Sequence, residues 1–312
     1  MKAIMYHYVR PFNPDLPGLN HLHIDDFRKQ LDYFEENFGF VSKEDFANAF
    51  VSGKVPDGVI LTFDDGLKCH YDYVLPELKA RGLWGFFFIT TGIYETKQLL
   101  GVHKIHMLLA ASDHKKIYDQ LQEIVTPEML SDKGMDGFTT SYSLLTDNEY
   151  SMEVKRTLNF YIAYEYRNAV IEQLLSLNGL THYNSVADFY VDHTEIKALH
   201  DAGMMVGSHT VNHFVMSKLS PGEQVIEIRD SMKYLESICQ DIPYRSFCYP
   251  YGGAHTFTPE TELILADNDY KMAFSIEHKD IHAADVLSRP FALPRYDCNT
   301  YPYGQVRKSL VQ

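Results

Sequence analysis

The chain has 312 residues, of which 45% are hydrophobic, and a formal net charge of −14. This length allows one large α/β domain or two smaller ones, and the acidic balance argues against nucleic acid or an anionic membrane as a partner. No apolar run is long enough to span a membrane, and the N-terminal "MKAIMYHYVRP" is too short and polar for a signal peptide. We therefore expect no integral membrane segment and a cytoplasmic location.

Short apolar or β-rich runs alternate with helical patterns along most of the chain. The predicted strands are 2–9, 58–65, 83–90, 203–210, 244–250, 270–276 and 291–296, and the predicted helices between them are 23–38, 74–82, 192–203 and 220–239. Asp25 or Asp26 is expected to cap the first helix, and Gly82 to end the second. The alternation predicts an α/β fold with a parallel sheet, and about seven strands favour a barrel over an open sheet.

Residues from about 95 to 190 depart from this alternation. The stretches 104–125 and 166–179 have helical patterns, 131–151 has the composition of a loop, and no convincing strand is present. We therefore expect a single domain over 1–312, with a helical insertion or cap between the third and fourth strands.

Two adjacent carboxylates, Asp64 and Asp65, follow the apolar run "VILTF" and precede Gly66. The Asp-Gly step by itself is an ordinary turn signal. Adjacent anions also repel each other, which costs stability unless a positive group lies nearby. The pair therefore indicates either a turn or a site that holds a cation.

Two histidines, His209 and His213, lie in "GSHTVNHF", the segment that ends the fourth predicted strand. Their spacing lets a helical turn or a tight loop bring both imidazoles to one side, although such pairs are also common by coincidence. Both pairs fall at the carboxyl ends of predicted strands, where ligands gather in parallel α/β folds. Two imidazoles and one carboxylate form the open ligand set of catalytic zinc, and the second carboxylate can take a proton from water. Together the two pairs favour a catalytic metal site.

Three motifs carry a resemblance to a known family. The segments "TFDDG" (62–66), "SHTVNH" (208–213) and "FCYPYGG" (247–253) resemble, in this order, the first three motifs of the polysaccharide deacetylase family, carbohydrate esterase family 4. The segment "MYHYV" (5–9) resembles the first strand of bacterial members. The resemblance implies a distorted (β/α)7 barrel that holds a divalent metal, most readily Zn²⁺, with Co²⁺ or Ni²⁺ as alternatives.

The resemblance also implies roles for individual residues. Asp65, His209 and His213 correspond to the metal ligands, and Asp64 corresponds to the general base. Tyr251 falls where a backbone N–H helps to hold the oxyanion. With these roles, the metal and this N–H polarise an acetamide carbonyl while Asp64 deprotonates the attacking water.

The chain departs from the family pattern at two points. Many members carry an arginine two residues before the proline of the third motif, where it orients the base, and this chain has Cys248 there. Arg295, in "LPRYD", either takes over that role or pairs with a structural carboxylate, and the sequence leaves both open. The Leu-x-x-His motif that supplies the general acid has no clear counterpart, since neither His278 nor His282 matches it.

Four further residues are candidates for substrate binding. His7 ends the first predicted strand, so it either faces the site or is a buried histidine with a structural partner. His103 and His106 open the insertion and are candidates for contacts from a cap over the site. Tyr249 belongs to the third motif, in "YPYG", and is the fourth candidate.

These features predict a metal-dependent hydrolase that removes an N-acetyl group from an amino sugar in carbohydrate or surface-polysaccharide biosynthesis. Its partner is an acetylated amino-sugar substrate, a cytoplasmic precursor fits the expected location, and a homo-oligomer is left open. One alternative is a hydrolase of another non-peptide C–N bond, such as a ureide or cyclic amide. Others are a non-catalytic carbohydrate-binding relative and a non-haem iron oxygenase, because two histidines and one carboxylate also bind iron.

Overall fold

The computed structural model describes residues 1–14, 18–131, 148–182 and 185–306. The chain divides into two compact units. The barrel unit contains residues 1–11, 21–96 and 187–306, and the helical unit contains the described residues of 12–20 and 97–186. Each unit has its own apolar core.

A parallel sheet organises the barrel unit. Its strands are β1 (Lys2–Tyr6), β4 (Val59–Phe63), β5 (Gly85–Ile89), β6 (Met205–Ser208), β7 (Ser246–Cys248), β8 (Met272–Phe274) and β9 (Tyr296–Asp297). All seven predicted runs contribute to this sheet, whose order is β8-β7-β6-β5-β4-β1-β9. Two short strands outside it, β2 (Val9–Arg10) and β3 (Leu22–His23), pair with each other and were not predicted. The residues of β4 and β5 are all buried, as expected for parallel strands covered on both faces.

The segment 293–297 closes the sheet into a barrel. Leu293 pairs with β8, because it exchanges backbone hydrogen bonds of 2.8 Å with Ala273 and Ser275. Three residues later, Tyr296 pairs with Ile4 of β1. The same short segment, which includes β9, therefore joins β8 to β1, and the predicted distorted (β/α)7 barrel is confirmed.

Helices cover the outside of the barrel. They are α1 (Ile24–Asn37), α2 (Lys43–Ser52), α3 (Leu75–Arg81), α4 (Gly92–Thr96), α10 (His193–Asp201), α11 (Pro221–Cys239), α12 (Pro259–Asp267) and α13 (Ala283–Ser288), with a π-helix at His70–Val74 and 3-10 turns at Met216–Lys218 and Cys298–Thr300. The predicted cap of α1 is wrong: His23 is the N-cap, and its Nδ1 accepts the N–H of Asp25 at 3.2 Å. Gly82 ends α3 with φ of 67°, as predicted, because this conformation costs glycine least.

The described part of the helical unit consists of helices with a shared core. They are α5 (Gly101–Ala111), α6 (His114–Ile124), α7 (Glu149–Arg156) and α8 (Tyr164–Leu177), with a 3-10 turn at Pro127–Met129 and a π-helix at Thr157–Tyr161; α9 (Val186–Phe189) follows at the return to the barrel sequence. The predicted helix 104–125 is interrupted at Asp113, whose side chain caps α6. Most of the predicted loop 131–151 lies outside the described residues. No helix of the described chain has the length and apolarity needed to cross a membrane.

The aromatic run in β5 separates two layers of the barrel unit. Phe86 and Phe88 pack with Phe274 in one apolar cluster, while Phe87 stacks on Phe63 at 4.8 Å on the other side. All the phenylalanines of β5 are inaccessible to solvent, so they are core residues as predicted. Alternation of side chains along the strand accounts for the two layers.

His70 offers a test of this packing through pH. Its ring is fully buried beside Phe63, its Nε2 lies 2.7 Å from the carbonyl oxygen of His7, and burial lowers its pKa to about 4. The native protein therefore binds fewer protons than the unfolded chain once the pH falls below the ordinary histidine pKa, about 6.5. We expect the free energy of unfolding to fall by up to about 3 kcal/mol between pH 6.5 and 4 from this residue alone. Urea denaturation of the wild type and of His70→Gln over this pH range measures the contribution of His70. If the free energy of unfolding had the same pH dependence in both proteins, the prediction would be contradicted.

Candidate active site at the carboxyl ends of the strands

The two adjacent carboxylates lie where β4 ends. Asp64 continues the ladder with β1, since its N–H donates to the carbonyl oxygen of Tyr6 at 3.0 Å. Asp65 and Gly66 then adopt left-handed conformations, with φ of 76° and 65°. Asp64 and Asp65 are only 2% and 3% exposed. Burial penalises an uncompensated anion, so each carboxylate needs a positive charge or hydrogen-bond donors beside it.

A tight loop after β6 carries both predicted histidine ligands. Glu227, buried on α11, accepts the backbone N–H of Val211 at 2.9 Å and that of Asn212 at 2.8 Å. Within the loop, the N–H of His213 donates to Oγ1 of Thr210 at 2.8 Å. These bonds hold a non-helical backbone that places the two imidazole centroids 4.8 Å apart.

The three predicted metal ligands converge. Oδ1 of Asp65 lies 3.3 Å from Nε2 of His209 and 3.2 Å from Nε2 of His213. Ligands about 2.0–2.1 Å from a tetrahedral zinc ion are about 3.3 Å apart. The donor atoms are thus spaced as the ligands of one ion would be.

Cys248 sets the tautomer of one of these histidines. Nδ1 of His209 lies 2.7 Å from the carbonyl oxygen of Cys248, so Nδ1 carries the proton and donates it. Nε2 of a neutral His209 then directs a lone pair at the carboxylate of Asp65, and the two repel unless a positive charge lies between them. Burial lowers the pKa of His209, yet Cys248 and Asp65 raise it well above its ordinary value, so a positive charge is favoured here. The donor set therefore fits a divalent metal.

Asp64 forms a buried, two-bond ion pair with Arg295. Nη1 donates to Oδ1 at 2.8 Å, and Nη2 donates to Oδ2 at 2.9 Å. Burial alone would raise the pKa of Asp64, but the guanidinium outweighs it and holds that pKa below its ordinary value. Asp64 is therefore an anion at neutral pH. Of the two partners that the sequence left open for Arg295, the structure shows the predicted base.

The remaining donors of Arg295 are also used. Nη1 donates to Oγ1 of Thr62 at 3.0 Å, Nε to the carbonyl oxygen of Ser275 at 3.4 Å, and Nη2 to Sγ of Cys248 at 2.9 Å. Asp64, His209 and Cys248 form a second group of close donor atoms. Because the guanidinium already neutralises Asp64, the group around Asp65 is the better place for a cation.

Two more predicted residues lie at the rim of this site. Nε2 of His7 is 4.0 Å from Oδ2 of both Asp64 and Asp65, and its side chain is 39% exposed. The ring of Tyr251 packs edge-on against that of His213 at 5.0 Å, and its backbone has φ of 64°. His7 is therefore accessible to a substrate while it faces both carboxylates.

Other candidates lie elsewhere. The assignment of Tyr249 to substrate binding needs correction, because its ring is 1% exposed, stacks on Phe257 at 3.9 Å and donates its hydroxyl to the carbonyl oxygen of Phe291. His103 and His106 are on α5 in the helical unit, so their proposed substrate contacts stay a prediction. Of the two loop histidines, His282 is the N-cap of α13, and His278 donates its N–H to the carbonyl oxygen of Arg295.

Sequence reasoning missed two residues that shape the site. Glu227 lies in the middle of an amphipathic helix, where nothing distinguishes it from a solvated carboxylate. Cys248 was noted only as a departure from the family motif, yet its carbonyl oxygen and its thiol both contact predicted site residues. Burial raises the pKa of this thiol, although Arg295 opposes the rise, so Cys248 keeps its proton at neutral pH.

Comparisons with known proteins support the resemblance. A family model described as polysaccharide deacetylase matches residues 168–273. The structure is similar to the Streptococcus pyogenes deacetylase PplD in complex with acetate, with 18% identity and a TM-score of 0.59 over 95% of this chain and 91% of that one. It is also similar to IcaB from Ammonifex degensii, with 18% identity and a TM-score of 0.54 over 95% and 90% of the two chains.

A third similar structure is a de-N-acetylase from Aggregatibacter actinomycetemcomitans, with 13% identity and a TM-score of 0.52 over 95% and 94% of the chains. The comparison with curated proteins gives no match. At these identities the neighbours establish the fold, and the family model adds the sequence match. The predicted resemblance to the polysaccharide deacetylase family is confirmed.

Metal titration tests the ligand assignment. We expect chelator-treated protein to bind one Zn²⁺ or Co²⁺ per chain, and Asp65→Asn to weaken this affinity by about 100-fold or more, since it replaces an anionic ligand with a neutral amide. Asp64→Asn is the matched control, because it removes the neighbouring charge, and it should change the affinity by less than about tenfold. Calorimetry and the absorption of bound Co²⁺ report both. A larger loss in Asp64→Asn than in Asp65→Asn would reverse the assignment.

Proposed function

We propose that this chain is a metal-dependent carbohydrate N-deacetylase that hydrolyses the acetamide of an amino sugar. The observation that carries the proposal is the anionic Asp64, held in two hydrogen bonds by Arg295, beside the converging donors of Asp65, His209 and His213. A carboxylate fixed as an anion next to a metal set suits general-base catalysis of water attack. The match to a polysaccharide deacetylase model and the acetate complex of PplD support an acetyl group as the one released.

The metal set and the base have separate tasks in this proposal. Asp65, His209 and His213 would hold a divalent ion, most readily Zn²⁺, which supplies the positive charge that polarises the carbonyl and acidifies water. Asp64 takes one proton from the attacking water, while Arg295 keeps both carboxylate oxygens in place. The resemblance assigns the backbone N–H of Tyr251 to the developing oxyanion.

His7 is the proposed proton donor to the leaving group. When the C–N bond breaks, the nitrogen must gain a proton to leave as an amine, and acetate remains as the second product. Nε2 of His7 is 4.0 Å from Oδ2 of Asp64, and it is the accessible imidazole nitrogen that faces both carboxylates. This placement supports His7 in the role for which the sequence offered no Leu-x-x-His motif.

The finer parts of the function are also proposals. The substrate class that we favour is an acetylated precursor in carbohydrate or surface-polysaccharide biosynthesis, with the enzyme in the cytoplasm. Hydrolysis of a ureide or cyclic amide would use the same site with a different substrate. A purely carbohydrate-binding role is harder to reconcile with the Asp64–Arg295 pair, because metal binding alone does not need a second buried carboxylate.

Acetate release tests the reaction and its base. Protein reloaded with Zn²⁺, Co²⁺ or Ni²⁺ is offered N-acetylated amino sugars, their nucleotide forms and short glycans, and acetate is measured. We expect metal-dependent release, and a fall in kcat of about 10²- to 10⁴-fold in Asp64→Asn, the usual contribution of a general base. Circular dichroism establishes that the variant is folded at the assay temperature. Hydrolysis of a ureide panel without any acetate release would shift the assignment to the other C–N hydrolase.

A change of leaving group tests His7. We expect His7→Gln to lower kcat by about 10- to 100-fold on an N-acetyl sugar, because the amine must be protonated. The same variant should retain activity on 4-nitrophenyl acetate, since the phenolate leaves without a proton. The ratio of the variant's kcat to that of the wild type is measured for each substrate on the same protein preparation, and the two ratios are compared. Equal losses on both substrates would remove His7 from the proton-donor role.

A further inference from the structure

Cys248 touches both members of the ion pair through its side chain. Its Sγ accepts a hydrogen bond from Nη2 of Arg295 at 2.9 Å and donates one to Oδ2 of Asp64 at 3.5 Å. The same Nη2 donates to the same Oδ2 at 2.9 Å, so the sulfur, the nitrogen and the oxygen form a closed triangle. The residue is inaccessible to solvent. A thiol can take part in this way because sulfur is both a weak donor and a weak acceptor.

The residues around Arg295 make the loss of the thiol costly. On one side, the guanidinium of Arg295 lies 6.0 Å from the ring centroids of Phe88 and Phe274. These rings have no oxygen or nitrogen atom that could accept a hydrogen bond from it. Without the thiol, one donor of Nη2 would lose its sulfur partner in a buried place, and a buried donor without an acceptor is costly. Oδ2 of Asp64 would lose a donor at the same time. The thiol thus acts on the oxygen that faces His7.

We propose that Cys248 is a positioning residue for the catalytic base: its thiol holds Arg295 and orients Oδ2 of Asp64 for proton transfer from water. The proposal rests on the proposed function, in which Asp64 is that base. The carbonyl oxygen of Cys248, which holds His209, belongs to the backbone and persists in any substitution. A substitution therefore keeps this backbone contact of His209, while it removes the contacts of the thiol with Asp64, Arg295 and His209.

Three substitutions separate hydrogen bonding from the filling of space. Cys248→Ser keeps a donor and an acceptor, Cys248→Val fills the volume without either, and Cys248→Ala does neither. We expect kcat within about threefold of wild type for the serine variant and at least tenfold lower for the valine and alanine variants. KM should change by less than about threefold in all of them, because the thiol is inaccessible to solvent and does not contact the substrate. Activities are compared at saturating metal, since Sγ also lies close to His209. Full activity in Cys248→Val would overturn the proposal.

A double substitution at Cys248 and Arg295 tests whether the thiol influences kcat through the guanidinium. If the thiol acts through the guanidinium, Cys248→Val in an Arg295→Lys background should lower kcat little further, since coupled residues are not additive. Additive losses would contradict this route. Cys239→Ala is the control, because it removes another buried thiol, at the end of α11, whose charged neighbours are Lys197 and Asp201 rather than the site residues, and it should leave kcat unchanged. Melting temperatures of all variants identify losses that are due to unfolding.

A spectroscopic measurement is independent of the reaction. The infrared S–H stretching band of Cys248 is obtained as the difference between wild type and Cys248→Ala. We expect this band to shift in Asp64→Asn and in Arg295→Lys, and to remain in place in Cys239→Ala. An unshifted band would overturn the contact itself. A shifted band in a protein that releases no acetate would instead show that the contact exists and that the proposed function has failed.

Discussion

Much of the candidate site depends on the buried ion pair between Asp64 and Arg295. Each charge alone would be costly, since removing an ion from water carries a penalty of several kcal/mol. The two-bond pairing offsets this penalty, and Thr62 and Ser275 satisfy further donors of the guanidinium. Arg295 lies in the segment that joins β8 to β1, and Asp64 follows β4. One interaction therefore links closure of the barrel to the orientation of Asp64, the proposed base.

The pair also gives two neighbouring aspartates different environments. Asp64 is matched by a permanent cation, so its charge is balanced within the protein. Asp65 faces two imidazoles, which would be neutral as ligands, and a divalent ion in the proposed site would balance its charge. The separate tasks that we propose for these two adjacent carboxylates follow from their different surroundings, a division common in enzymes that use paired acids. A relative that kept only the metal site would have no need of the buried guanidinium.

The strand framework could be predicted because buried parallel strands appear as short apolar runs between turn signals. The same reasoning missed β2 and β3, which have two residues each and no periodicity to detect. Tyr249 was misassigned for a related reason. A tyrosine in a motif looks available for a ligand, but here Phe257 and the carbonyl oxygen of Phe291 use both its ring and its hydroxyl. The hydroxyl's partner is 42 residues away and the stacking on Phe257 depends on the loop between them, so composition and spacing do not reveal either contact.

The geometry of the site was beyond local prediction for a further physical reason. Asp65, Thr210, His213 and Tyr251 all have positive φ, a conformation that costs a residue other than glycine of order 1–3 kcal/mol. Local preference would place each of these residues elsewhere, and it is the surrounding structure that holds them. Glu227 fixes the loop of His213 from another helix, and the partner of Asp64 is 231 residues away. The residue types in the motifs therefore predicted a metal site with a neighbouring carboxylate. The positions of these side chains depend on contacts between distant residues, which hold the backbone in conformations that local preference disfavours.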